Sequence, residues 1–203
     1  MDKKFIGLGC LGAIILVVVV AFSWVKGSYN GMVTSRENAK EAFSQIDVVL
    51  KRNFQDLNSL DNILSREEET VRGTLREVTE ARARATAITI DPSNCTPEQM
   101  KAWSQAQGDF TQAMSRLLVA DENYPDLRDM KAYQDVRDKL SGAVNRLAEA
   151  RRKYNEVAKE YNIRVQQFPN NILAGMFGFQ PMLYYEAPAG TEEQTTDFAR
   201  KDS

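Results

Sequence analysis

Hydrophobic positions divide the chain into three regimes. The first is "FIGLGCLGAIILVVVVAFSWV", Phe5 to Val25, 21 residues without a charge. About 20 apolar residues let a helix cross the hydrocarbon core, where every backbone N–H and C=O must be paired within the segment. Lys3 and Lys4 precede the run, while Trp24 and Lys26 close it with an interfacial aromatic and a cation. A signal-peptide apolar region is shorter, ~7–15 residues, so the run is expected to be a retained transmembrane anchor. In the second regime apolar residues recur every three or four positions. Phe43, Ile46, Leu50, Phe54, Leu57, Leu60, Leu64, Val71, Leu75 and Val78 form such a stripe, broken only at Glu67–Glu68. Asn58–Ser59 is the expected break or bend in it, because Asn and Ser are weak helix formers.

The loop-like "ITIDPSNCTPEQM" interrupts this pattern, and Thr96-Pro97-Glu98-Gln99 restarts it. Thr96 is the expected N-cap, with Pro97 at the first helical position and Gln99 completing a capping box. That helix carries Trp103, Phe110, Met114, Leu117 and Leu118 and stops before "NYPDL". There Pro125 disfavours a helical Tyr124, and Asp126 can cap the next helix. The last long stripe is Met130, Tyr133, Val136, Leu140, Val144, Leu147, Tyr154, Val157 and Tyr161, ending by Pro169. A helix of ~40 residues rises ~60 Å, so the domain is expected to be elongated. The third regime is "NNILAGMFGFQPMLYY", apolar and glycine-containing, followed by a polar tail expected to be flexible.

These patterns predict an all-α protein: an N-terminal single-pass transmembrane helix, then an elongated antiparallel four-helix bundle. The expected divisions are a short basic N-terminus at 1–4, an anchor at 5–25, the bundle at 28–168, an apolar segment at 169–186 and a polar tail at 187–203. The apolar segment is too short and interrupted for a second span. It either caps the bundle or forms a contact surface for the membrane or another subunit. Phe177, Phe179, Leu183, Tyr184 and Tyr185 are the candidate interaction residues. Within the anchor, Gly9 and Ala13 make a small-xxx-small pair that would let another helix approach closely.

Composition narrows the chemistry. Gly7, Gly9 and Gly12 complete a G-x-G-x-x-G, but only "MDKKF" precedes them, too little for the strand that dinucleotide binding requires. Histidine is absent, which removes a His-based triad, a histidine zinc site and a Glu-x-x-His di-iron centre. Of 26 basic and 28 acidic residues, the first 25 positions hold Lys3, Lys4 and Asp2; the remainder is 24 against 27, a net of −3. That balance offers nucleic acid no basic footprint. Cys95 is the one cysteine outside the anchor, so the rest of the chain has no internal disulfide; with no cation beside it, a plain thiol is expected. Asn94-Cys95-Thr96 fits a glycosylation sequon as a pattern only. Glu67-Glu68-Glu69 reads as a solvated helix face rather than a hard-cation site. In "EARRKYNEVAKEYN" charges stand three and four apart, so Glu149–Lys153 and Glu156–Lys159/Glu160 read as surface helix pairs and repulsions. The same stretch holds the basic cluster Arg151, Arg152 and Lys153. No nucleophile, base and oxyanion donor assemble, so no catalytic residue, metal, cofactor or small-molecule substrate is expected.

Several motifs in order carry a resemblance. "SYNGMVTSRENAKEAFSQIDVVLKRNFQDL" follows the anchor; then come "ENYPDL", "ARRKYN", "FPNNILAGMFGF" and "YYEAP". From Tyr29 to about Ala187 the chain resembles the LemA family of bacterial membrane-anchored proteins. Members of that family usually carry a proline after the "LKR" segment, where this chain has Asn58–Ser59. The resemblance implies a single anchor and a four-helix bundle, and it implies no catalytic residues.

The expected function is that of a non-enzymatic scaffold or structural component at the bacterial cell membrane, self-associating into a homo-oligomer. The alternative is an accessory regulator or adaptor that binds a membrane enzyme such as a protease. The expected partners are the lipid bilayer, further copies of the chain or a membrane protein. A very short basic N-terminus before a long apolar run is expected to stay cytoplasmic, leaving the bulk of the chain on the extracytoplasmic side.

Overall fold

The computed structural model describes residues 3–53, 69–119 and 131–188. Among them the ordered elements are five helices: α1 (Lys3–Asn53), α2 (Glu69–Ala87), α3 (Pro97–Leu118), α4 (Lys131–Gln166) and α5 (Asn170–Phe177). The expected bend at Asn58–Ser59 and the Asp126 cap fall outside the described residues.

α1 is one uninterrupted helix. The expected boundary between anchor and bundle, at residues 25–28, is marked by no break in it. Ile14 through Val20 are each more than half exposed, and α1 is long and apolar enough to cross a membrane. Val25, the last residue of the uncharged run, is already partly buried against the core. Farther along, Met32, Ala39, Phe43, Ile46 and Leu50 are buried, a three-four stripe facing the other helices.

α1 packs mainly on α4, and α2 mainly on α3. The cross-contacts give the directions. Phe43 on α1 meets Tyr154 on α4, and farther toward the anchor Gly31 meets the Arg164 side chain near the end of α4. Arg82 reaches the Lys51 carbonyl, whereas Lys40 pairs with Asp91 in the α2–α3 loop. Arg116 pairs with Glu77, while Gln107 reaches the Ala85 carbonyl. Consecutive long helices therefore run antiparallel. The core on α3 and α4 contains the expected Trp103, Phe110, Met114, Leu117, Tyr133, Val136, Leu140, Val144, Leu147, Tyr154 and Tyr161. Val157 is only partly buried, and the smaller Ala158 takes the inner position.

Local chemistry sets the turns. Thr96 Oγ1 accepts from Gln99 N at 3.2 Å and Thr96 N donates to Gln99 Oε1 at 2.9 Å, closing the capping box with Pro97 at the start of the helix. Before it, Asp91 Oδ1 accepts from Ser93 N at 2.9 Å; that bond holds the Asp91 carboxyl below its usual range. α5 ends at Gly178, whose φ of +72° suits glycine, and its N–H returns to the Ala174 carbonyl.

Candidate interaction site

Residues 179–188 carry no helix or strand and run back along α4 as a strap. Two Tyr-Asn pairs on α4, seven residues apart, hold it. Asn162 Nδ2 donates to Met182 O and Asn162 Oδ1 accepts from Met182 N, both at 2.8 Å. Asn155 repeats the arrangement on Tyr185, donating at 2.9 Å and accepting at 2.8 Å. Tyr161 Oη donates to Gln180 O at 2.9 Å and Tyr154 Oη to Leu183 O at 2.5 Å. The spacing has a geometric reason. Seven helical residues rise ~10.5 Å, and three extended residues cover ~10 Å. An asparagine every two turns therefore meets strap residues three apart. Burial pushes the hydroxyls of Tyr154, Tyr161 and Tyr185 up, so all three stay protonated near neutrality.

Beneath the strap lies Arg151, only 6% exposed. Its Nη1 donates to Thr111 Oγ1 at 2.9 Å, and its Nη2 donates to Gln107 Oε1 at 2.9 Å and Gln107 O at 3.1 Å. The guanidinium sits 5.0 Å from the centre of the Tyr185 ring, which also meets Trp103 edge-on with centroids 5.8 Å apart. No described carboxylate pairs with it, and burial lowers its pKa. The polar oxygens and the aromatic face stand in for the missing counter-charge.

Of the basic cluster Arg151, Arg152 and Lys153, Arg151 turns inward, while Arg152 and Lys153 stay outside. Arg152 pairs with Glu149 at 2.6 Å and Lys153 with Glu156 at 3.0 Å, so the surface pairs follow an i,i+3 pattern rather than Glu149–Lys153. The signal was present, since Arg151 fills the gap between Leu147 and Tyr154 in the apolar stripe. The repeated "YN" of "YNEVAKEYN" was the corresponding signal for the strap clamp.

The candidate surface residues scatter between core and solvent. Phe179 is buried, with Arg36 over its ring at 5.2 Å, and Tyr29 packs edge-on against both Phe177 and Phe179. Leu183 and Tyr185 are partly buried against the core. Phe177 and Tyr184 remain exposed. Gly9 and Ala13 lie within α1, where Ala13 faces outward. Tyr184 lines a groove of about 920 Å³ between α3, the end of α4 and the strap, together with Met100, Lys101, Lys159 and Ile163. Ser104 also lines it, and its Oγ is buried without a partner. Cys95 is a free thiol, and burial raises its pKa.

Comparison of the sequence with known proteins matches it to a family. The LemA family model matches residues 42–198, which includes the α3–α4 core, the Tyr-Asn pairs and the strap. Over 91 residues the chain is 36% identical to the magnetosome proteins MamQ 2 and MamQ 1 of Paramagnetospirillum magneticum, and 33% identical to MamQ of Magnetospirillum gryphiswaldense. Each match covers 44% of this chain and 34% of the relative, so the chain spans about a third of the length of the curated relatives it matches. With three quarters of its length inside the family match, the chain belongs to the LemA family.

Proposed function

We propose that the chain is a non-enzymatic, membrane-anchored scaffold that holds a helical bundle at the bacterial membrane and self-associates there, with the bulk of the bundle on the extracytoplasmic side. The observation that carries this reading is the continuity of α1 from Lys3 to Asn53 with Val25 packed against the core. A helix without a flexible linker transmits the orientation of the anchor to the bundle, which suits a structural element more than a tethered, freely rotating domain. The strap reinforces this, since α4 side chains tie it, and with it the end of the helical domain, back onto α4 by hydrogen bonds to its main chain.

The groove beside Tyr184 supports the second reading, an adaptor that engages a membrane enzyme such as a protease through exposed Ile163 and Tyr184. Light scattering on the full chain in detergent separates the two. The scaffold is expected to form a large, defined assembly that shrinks when Gly9 and Ala13 are both replaced by leucine. A monomer or small dimer overturns the scaffold reading and favours the adaptor.

A further inference from the structure

We propose that α5 docks on the bilayer surface beside the anchor, seating Phe168, Ile172 and Met176 at the boundary between headgroups and acyl chains. The inference rests on reading the apolar part of α1 as membrane-spanning. Val25 closes the uncharged run and already touches the core, so the domain descends onto the membrane boundary with no linker between. Tyr29 stands four residues farther, a rise of ~6 Å, and its ring packs at 5.0 Å from that of Phe177 at the end of α5. α5 therefore lies within about two helical turns of the point where α1 would leave the lipid.

Its chemistry fits that position. Between Arg164 and Glu186 the sequence carries no charge. One face of α5 is spent on the core through Leu173 and Ala174. On the other side Phe168 is 79% exposed and Met176 73%, more than Phe22 of the anchor at 69%, with Ile172 between them at 55%. Within α5 Ile172 and Met176 stand four apart on one face, and with Phe168 in the turn just before the helix they make a short exposed apolar patch, of the kind that lies ~5–10 Å into the headgroup–acyl boundary. Cations stand within about one helical turn of Tyr29 along α1. Lys26 is exposed on α1, and the Arg164 guanidinium lies against Gly31, so close that a Cβ there would meet it. Both suit lipid phosphates. Watery surroundings would leave this row unpartnered, whereas lipid covers it without any further protein.

The test uses the full chain with Cys10→Ser and Cys95→Ser, reconstituted in phosphatidylcholine–phosphatidylglycerol vesicles that carry nitroxide lipids. A fluorophore is attached in turn at Met176→Cys, at Phe22→Cys in the anchor and at Lys139→Cys on the exposed far part of α4. Shallow nitroxides are expected to quench the Met176 position at least threefold more than the Lys139 position, while deep nitroxides quench the Phe22 position. Quenching at Phe22 with Met176 indistinguishable from Lys139 overturns the docking and leaves the anchor in place, including when another copy shields Met176. No lipid quenching at Phe22 overturns the anchor reading itself, and the docking with it.

Discussion

Replacing Asn162 by alanine removes both hydrogen bonds that pair α4 with Met182 of the strap. Asn162 is 7% exposed and Met182 2%, so the freed N–H and C=O of Met182 remain away from water unless the strap lifts. Each buried backbone group left unpaired costs about 1–3 kcal/mol. The strap is an edge segment that lets water in on peeling, so the low end applies, and together the two groups cost about 2–3 kcal/mol. At 1.4 kcal/mol per factor of ten, this is roughly a 30- to 140-fold increase in strap opening. Native-state hydrogen exchange reads it directly, as faster exchange of the Met182 amide with little change at Phe110 or Leu140 in the core. Asn162→Asp is expected to fall between, because a carboxylate still accepts from the Met182 N–H but cannot donate to its carbonyl. A Met182 amide that exchanges at the wild-type rate in Asn162→Ala would refute the idea that the asparagine holds the strap.

Other perturbations follow from the same geometry. Arg151→Lys is expected to lower stability by about 1–3 kcal/mol in urea denaturation, since one ammonium cannot span Thr111 and Gln107 or stack on Tyr185 as the planar guanidinium does; an unchanged midpoint would count against the buried network. Tyr154 has its hydroxyl pushed up from 10.0 by burial, so the unfolded chain loses that proton at a lower pH than the folded one. Its contribution is complete below pH ~10 and lost as pH rises beyond it. Tyr154→Phe should flatten the alkaline fall in stability by about one proton while costing ~1 kcal/mol at neutral pH for the lost bond to Leu183 O; equal alkaline slopes in the two proteins would exclude Tyr154 as a contributor. At Gly108 a Cβ would run into the ring of Pro188. Gly108→Ala should therefore speed exchange at Tyr185 and Glu186 even though alanine favours the helix by up to ~1 kcal/mol. Thr96→Ala, which opens the capping box of α3, should cost ~1 kcal/mol of stability by thermal or urea unfolding.

The sequence alone determined what depends on local period and local hydrogen bonding. Helix type follows from apolar residues three and four apart, so the stripes through Ile46, Leu75, Phe110 and Leu140 identified their helices without any tertiary information. The start of α3 was equally legible, because Thr96, Pro97 and Gln99 close their capping box within four residues. The continuous run from Phe5 to Val25 likewise specified a helix long and apolar enough to cross a membrane. Tertiary structure decided which partner each long side chain meets. Arg151 and Arg152 are neighbours in sequence and alike in charge, yet successive helical residues point ~100° apart. That rotation buries one beneath Tyr185 and leaves the other with Glu149 on the surface. The repeated Tyr-Asn of α4 marks the clamp in the sequence, but the course of the strap is not legible there: it has no period of its own, and its backbone is satisfied by asparagines 20 and 30 residues away in the chain. The apolar residues of 168–185 also looked alike in composition. Contact with Tyr29, Arg36, Trp103 and Arg151 sorts Phe179 and Tyr185 toward the core, and leaves Phe168, Ile172 and Met176 outside.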